Sequence, residues 1–157
     1  MNILATQYSL ANRAYEIYVA GCKGNPHCKG CHNPESWDFT NGELCTEQFA
    51  YDICCKIYKF DDLVDKIFIF GGEPLDQDLD ELYLLTSYLK YKLDKEIWVF
   101  TRYDSDEVLD KLDWRLNVID YVKCGGYDCN KLTDDNIQYG IKLASSNQYI
   151  VNVKEDL

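Results

Sequence analysis

The chain has 157 residues, with 27 acidic against 16 basic side chains, a formal net charge of -11 and eight cysteines. That length suits one domain, which buries roughly two thirds of its unfolded surface and needs no disulfide staples to hold a core. An acidic chain without a basic stripe repels phosphate backbones, so a nucleic-acid partner is excluded and the charge reads as solubility.

Residues Met1 to Ala20 show no basic patch followed by an apolar run, so no export signal is expected. No stretch reaches the length of a membrane span. The expected location is therefore the cytoplasm, where cysteines serve as thiols, metal ligands or catalytic groups rather than bridges.

Tyr15 to Ala20 is the first predicted strand, and it runs directly into Gly21-Cys22-Lys23-Gly24-Asn25-Pro26-His27-Cys28-Lys29-Gly30-Cys31-His32. Thr46 is expected to cap a helix on which Phe49, Ile53 and Ile57 recur every four residues. Lys66 to Phe70 is a second strand, followed by Gly71-Gly72-Glu73-Pro74. Asp78 with Glu81 resembles a capping box ahead of Leu82, Leu85, Leu89 and Leu93 on one helical face. Glu96 to Phe100 is a third strand, and Ser105 is expected to cap a short helix carrying Val108, Leu109 and Leu112. Val118 to Val122 and Tyr149 to Val153 complete the strands. Short runs rich in β-branched and aromatic residues suit strands covered on both faces, as in parallel sheets. Strand alternating with helix is the signature of right-handed crossover units. Such folds place their chemistry beyond the C-terminal ends of the strands, so the cysteine loop, Gly71 to Glu73 and Thr101 are expected on one rim.

Cys22, Cys28 and Cys31 fall within ten residues, and Gly24, Asn25, Pro26 and Gly30 let that loop turn. Three thiolates on one short loop suit an iron–sulfur cluster with one iron left open. The same residues leave two other readings. Cys28-Lys29-Gly30-Cys31-His32 satisfies the pattern for covalent haem attachment, although that chemistry needs export and leaves Cys22 unused. A closed zinc site needs a fourth ligand, for which His27, His32 or the pair Cys124 and Cys129 are candidates. Gly71-Gly72-Glu73-Pro74, between a strand and a helix, adds glycines that permit close backbone approach and a carboxylate able to accept charge-assisted hydrogen bonds from an amino group.

With both motifs in one chain, the sequence resembles the radical S-adenosylmethionine (SAM) superfamily, and more narrowly the activating proteins of anaerobic ribonucleotide reductases. The likeness is carried by Cys22, by Cys28-Lys29-Gly30-Cys31-His32-Asn33-Pro34-Glu35-Ser36-Trp37 and by Phe70-Gly71-Gly72-Glu73-Pro74. It continues in Trp98-Val99-Phe100-Thr101-Arg102-Tyr103, in Asp120 to Tyr127 and in Ser145-Ser146-Asn147-Gln148. One departure stands out: five residues separate Cys22 from Cys28, where the family pattern usually has three. An extended spacer covers about 3.3 Å per residue, so five reach across a cluster easily, with Asn25-Pro26 turning the surplus.

The resemblance implies a partial (β/α) barrel of mainly parallel strands, of radical SAM type, with residues 1–157 forming a single radical SAM activase domain. It implies that Cys22, Cys28 and Cys31 hold three irons of a [4Fe-4S] cluster and that S-adenosyl-L-methionine binds the fourth. Gly71, Gly72 and Glu73 would support the SAM amino group, while Gly30, His32 and Asn33 border the cluster and contact the cofactor. One electron would cleave SAM to methionine and a 5′-deoxyadenosyl radical. That radical would take hydrogen from a glycine of the large subunit of anaerobic ribonucleotide reductase. An electron donor such as flavodoxin or ferredoxin is implied as second partner.

Among other residues, Trp37 reads as core, and Ser146-Asn147-Gln148 as a turn before the last strand or as polar groups reaching the rim. Cys54 and Cys55 fall on a helix, where a buried thiol behaves as a small apolar group. Cys124 and Cys129 read as free thiols or an auxiliary metal or redox pair. Two other function classes stay open: a radical SAM enzyme acting on a different protein or peptide, which would share every motif, and a non-catalytic zinc or iron–sulfur module, which would need neither the Gly-Gly-Glu turn nor SAM.

Overall fold

The N-terminal residues, which carry no strong strand signal, form the strand β1 (Asn2–Ser9), joined through a tight turn to β2 (Ala14–Val19). The turn places Arg13 at a φ of 49° and points its guanidinium at Asp65, 2.6 Å away, and at the Asp62 carbonyl. After the cysteine loop the chain adds β3 (Glu43–Leu44), α1 (Glu47–Tyr58), β4 (Lys66–Gly71), α2 (Leu79–Leu93), β5 (Glu96–Phe100) and α3 (Ser105–Leu112). It ends with β6 (Tyr121–Cys124), a small hairpin of β7 (Ile137–Gln138) and β8 (Ile141–Lys142), then β9 (Tyr149–Asn152) and α4 (Val153–Asp156). These elements come from a computed structural model that describes residues 1–157, apart from the side chain of Asp61.

The main sheet has the order β3-β1-β2-β4-β5-β6-β9. Its centre, β2-β4-β5-β6, is parallel, as the alternation of strands and helices predicts, and antiparallel strands flank it on both sides. The sheet is open: where a partial barrel is expected, seven strands run from one free edge to the other and no barrel closes among the described residues. The architecture is therefore mixed α/β with a mostly parallel central sheet.

Side-chain alternation divides the strands cleanly. Ile17, Val19, Ile67, Ile69, Ile97, Val99 and Val122 face Ile53, Ile57, Leu82, Leu85 and Leu89 of α1 and α2, all buried in one core. Each such residue, fully buried, contributes about 1.5–3 kcal/mol of hydrophobic stabilisation. The opposite face carries Phe68, Phe70, Trp98, Phe100 and Tyr121, packed against Ala14, Ile141, Leu143 and Ile150, with Tyr18 on Phe70 and Tyr139 on Tyr121. With no helix on that side, one end of the face stays open.

Helix starts follow the sequence with two corrections. Thr46 caps α1 as expected, its side chain accepting from the Phe49 amide. Asp78 caps α2 by accepting from the Asp80 and Glu81 amides, but Glu81 does not reach back to close a capping box and pairs with the N-terminal ammonium instead. Ser105 is not a cap. Asp104 fills that role, exchanging hydrogen bonds with Glu107 in a full capping box, because Asp precedes Glu by three residues at that point. The strand expected over Val118 to Val122 starts late, at Tyr121. A 3-10 turn over Asp113–Val118 holds the Ile119 amide on the Leu116 carbonyl, and Asp120 turns its carboxylate to the Ile97 amide and Lys90.

Candidate active site beyond the parallel strands

The C-terminal ends of β2, β4, β5 and β6 meet at one rim, and the loops that follow them are tied together by backbone. Beyond β2, the Gly21 amide donates to the Ser36 carbonyl and the Cys22 amide to the Trp37 carbonyl. Beyond β4, the Glu73 amide donates to the Gly21 carbonyl at 2.8 Å, and the Gln77 side chain donates to that same oxygen. Asp76, 5% exposed, accepts from the Lys23 amide at 2.6 Å. The first cysteine is thus held from three directions by groups the strand ends supply.

The three loop cysteines are free, half-buried thiols that line one cavity of about 580 Å³. His32, Asn33, Gly71, Gly72 and Glu73 line it as well, so eight of the nine residues singled out from sequence share one space. Gly30 does not line it: it lies against Tyr127 and Cys129 instead. His32 packs against Tyr127 with ring centroids 4.8 Å apart. His27 stacks flat on Trp37 at 4.0 Å and hydrogen-bonds the Cys22 carbonyl, and it does not line the cavity. Trp37 is not core. It is half-buried and lines the cavity, a correction whose cause is the 3-10 turn over Pro34–Ser36 that lifts it to the rim.

Glu73 is 2% exposed, and burial pushes its carboxyl above the usual carboxylate range, against the pull of its hydrogen bonds. Oε1 accepts from the Leu75 amide at 3.0 Å and the Thr101 hydroxyl at 2.6 Å, and Oε2 from the Arg102 amide at 2.8 Å. One of roughly four acceptor positions on a carboxylate is left for a ligand. Most of what Glu73 does in the free protein is to bind the end of β5 to the end of β4. The isosteric change Glu73→Gln tests this. Whichever way the amide turns, its NH2 meets a backbone N–H, of Leu75 or of Arg102. A loss of about 2–4 kcal/mol is expected, read as a lower urea midpoint at unchanged slope.

Gly71 has the backbone angle that its sequence reading calls for, a φ of 122°, and close backbone packing demands glycine at both positions as well. A Cβ on Gly71 would lie 2.7 Å from Val19 backbone atoms, and one on Gly72 only 2.3 Å from the Gly21 carbonyl oxygen. Backbone meets backbone there.

Several residues of the site stand in segments that carry the family resemblance but had no role assigned to them from sequence. Arg102 donates to the Tyr103 hydroxyl at 2.8 Å and lies 3.5 Å from Asp76, while the Tyr103 hydroxyl donates to Asp76. Lys123 reaches the cavity from β6, its Nζ donating to the Thr101 and Gly125 carbonyls at 3.2 and 2.7 Å. Burial pushes Lys123 down to about 8, with Glu73 opposing that shift. A lone charge in the apolar run Tyr121-Val122-Lys123-Cys124 was the available clue. Gln148 lines the cavity and also holds its turn, accepting from the Ala144 and Ser145 amides, so both readings of that segment apply.

The residues present fit an iron–sulfur cluster. Three unbridged thiols open into one space, and of the other candidate ligands His32 lines it too, whereas His27, Cys124 and Cys129 do not. Cys124 is fully buried in the helix-side core, where burial pushes its thiol up to about 12, whereas Cys129 lies beside Gly30. The two are not brought together as a pair. Burial also pushes Cys22 up, with Asp76 and Glu73 adding to it and the Gly24 amide opposing; a bound cation reverses that balance. Among the described residues no three His, Cys, Asp or Glu side chains are gathered for a single ion. A cluster gives each thiolate its own iron and so spreads its ligands more widely.

A family model for a 4Fe-4S single cluster domain matches residues 13–151. Similar curated proteins are named anaerobic ribonucleoside-triphosphate reductase-activating protein. The one from enterobacteria phage T4 is 28% identical over 116 residues, covering 73% of this chain and 70% of its own. That of Haemophilus influenzae is 34% identical over 97 residues, covering 60% of this chain and 61% of its own, and so under two thirds of that relative is spanned. That of Vibrio cholerae is 26% identical over 113 residues, covering 71% and 72%. The resemblance to activating proteins of anaerobic ribonucleotide reductases is thus found again in whole-sequence comparison. No solved structure matches the chain.

Proposed function

Since this chain belongs to the 4Fe-4S single cluster domain family, we propose that it is a radical SAM activase of an anaerobic ribonucleotide reductase. The observation that carries this reading is the common cavity: Cys22, Cys28 and Cys31 open into the same 580 Å³ as Gly71, Gly72 and Glu73. Ligand sites of this class run from about 300 to 1,000 Å³, so a nucleoside with an amino-acid tail fits. When bound, a reduced [4Fe-4S] cluster held by Cys22, Cys28 and Cys31 would supply one electron to cleave SAM to methionine and a 5′-deoxyadenosyl radical, which would take hydrogen from a glycine of the reductase's large subunit.

The chain's own residues do the rest. Cys22, Cys28 and Cys31 are the iron ligands, and His32 and Asn33 border the cofactor, with Gly30 behind them shaping the loop. Glu73 offers its remaining acceptor position to the SAM amino group, beside the backbone of Gly71 and Gly72. Phe70, Phe100 and Tyr18 line the same cavity and exclude water from a radical that attacks nearly anything. In this reading residues 1–157 act as one domain of the radical SAM type, built on the open sheet with its parallel centre. Its uncovered face admits a protein loop. The partners are the large glycyl-radical subunit and an electron donor such as flavodoxin or ferredoxin, in the cytoplasm. Among the described residues no helix is long and apolar enough to cross a membrane.

The test is anaerobic loading with iron and sulfide, reduction by dithionite and assay of 5′-deoxyadenosine from SAM. Cluster-dependent formation is expected. A chain that loads and reduces a cluster yet never cleaves SAM would leave the reading without its chemistry.

A further inference from the structure

Beside the cavity, the open face of the sheet carries a polar cluster built on β1 and β2. Its centre is Glu16, with Gln7 directly opposite it in the antiparallel register and Tyr18 two residues along the same strand. Glu16 is 6% exposed, and its Oε2 accepts from Gln7 Nε2 at 2.6 Å and from the Tyr18 hydroxyl at 2.9 Å. Gln7 Nε2 also donates to the Tyr18 hydroxyl at 2.7 Å, which closes the three side chains into one ring. The other oxygen, Oε1, has no hydrogen-bond partner among the described residues, yet it is not sealed from solvent. None of the ion pairs among the described residues includes Glu16. Lys66, one row further along the same face, holds its Nζ over the Trp98 ring instead. Carboxylates this buried are almost always paired, because burial without an opposite charge is unfavourable. Two neutral donors thus aim a buried carboxylate whose charge the fold leaves unbalanced.

We propose that Glu16 is a cation subsite for the protein partner: its free Oε1 takes a basic side chain of the reductase segment that enters the open face, while Gln7 and Tyr18 hold the carboxylate in place. Charge carries one half of the argument. A basic side chain balances Glu16 and forms a charge-assisted hydrogen bond, whereas a neutral group leaves the buried charge as it is and an anion is repelled. Position carries the other half. Tyr18 lines the cavity that the loop cysteines share, and Glu16 lies two residues away on β2, a distance of about 7 Å along a strand. An extended segment sets alternate side chains on one face at the same spacing. A glycine presented at the cavity therefore puts the residue two positions from it over Glu16. The identity of the occupant rests on the activase reading, and the unbalanced carboxylate does not.

Peptide binding tests it without turnover. Blocked heptapeptides with a central glycine carry arginine, or its neutral isostere citrulline, two positions before or after that glycine. Each is titrated by fluorescence anisotropy against the cluster-loaded chain with SAM present, kept anaerobic and without reductant. One arginine peptide is expected to bind about 10- to 100-fold more tightly than its citrulline counterpart, as for one charged hydrogen bond. Glu16→Gln should bring the two within about two-fold by weakening the arginine peptide alone. Gln7→Lys sets a cation of the chain's own opposite Glu16 from an exposed position, a cross-strand pairing the sheet favours. It should abolish the arginine preference with the fold intact, and it covers the case that Glu16→Gln fails to fold. Arginine and citrulline peptides that bind the wild type alike, or not at all, would overturn the subsite, as would a preference that survives both variants. The two readings fail separately. A chain that cleaves SAM but shows no arginine preference loses the subsite alone. One with a Glu16-dependent preference and no 5′-deoxyadenosine keeps its cation site and loses the activase reading, and with it the named partner.

Discussion

Replacing any one of Cys22, Cys28 and Cys31 by alanine should reduce SAM cleavage to background. Iron after anaerobic reconstitution should fall well below the about four atoms per chain of a full cluster. Losing even an outer-shell partner of a metal site typically costs 10- to 100-fold, so losing a ligand should exceed about 100-fold in 5′-deoxyadenosine formed. The structure makes this a test of position as well as of residue type, because five other cysteines are present as controls. Cys54 is buried on α1 and Cys124 on the helix side of the sheet, and neither they nor Cys129 line the cavity. Cys54→Ala and Cys129→Ala should therefore load iron and cleave SAM as the parent does. Colour gives a first answer, since a brown protein that pales only in the three loop variants maps the cluster to the cavity mouth. A Cys22→Ala variant with full activity would sink the ligand assignment, and with it the view that the five-residue spacer still delivers Cys22 to the cluster.

How far the sequence speaks for itself varies with the range of the forces involved. The parallel strands were legible because a buried strand is a local composition: Lys66–Gly71 and Glu96–Phe100 form almost where their apolar runs lie. The α2 face was legible because Leu82, Leu85, Leu89 and Leu93 obey one period, and all four are buried. The first strand was not. Its polar Thr6 and Gln7 sit on an outer strand where half the side chains meet water, so neither composition nor alternation marks it. The late start of β6 depends on Asp120 bonding the Ile97 amide 23 positions away, a tertiary contact that no local pattern reports.

The site divides the same way. Its cysteines and its Gly-Gly-Glu turn carry a composition rare enough to read directly. The residues that hold them do not. Asp76 takes the Lys23 amide and the Tyr103 hydroxyl, Gln77 takes the Gly21 carbonyl, and Arg102 and Lys123 come from two further strands. Each is an ordinary polar residue until the parallel register Val19↔Gly71 and Phe100↔Lys123 brings the strand ends level. Thr101 was placed at the rim from sequence because it follows a strand directly; its hydrogen bond to Glu73 needed the fold.

Gly72→Ala is expected to have the largest effect on stability, and it decides what the paired glycines are for. An added Cβ would sit 2.3 Å from the Gly21 oxygen, 2.7 Å from the Ser36 oxygen and 2.8 Å from the Gly21 carbonyl carbon. All three are backbone atoms, so no rotamer change relieves the overlap. Moving Gly21 away would also strip its carbonyl of the Glu73 amide and the Gln77 side chain, and its amide of the Ser36 carbonyl. Overpacking costs about 1–3 kcal/mol and each broken hydrogen bond about 1, so a loss of about 3 kcal/mol or more is expected. It should appear in urea denaturation of the cluster-free, reduced chain, as a lower midpoint at unchanged slope. Gly126→Ala is the control, since its added Cβ meets nothing nearer than 3.6 Å, and it should change stability by less than about 0.5 kcal/mol. Because the measurement excludes cluster and SAM, it separates two causes that activity alone would merge. A large loss makes Gly72 the point where β4 closes on the cysteine loop, so that any failure to bind SAM follows from a displaced Cys22. An undisturbed midpoint would mean that the strand ends have room to part, and would return the glycines to the role of letting a ligand approach.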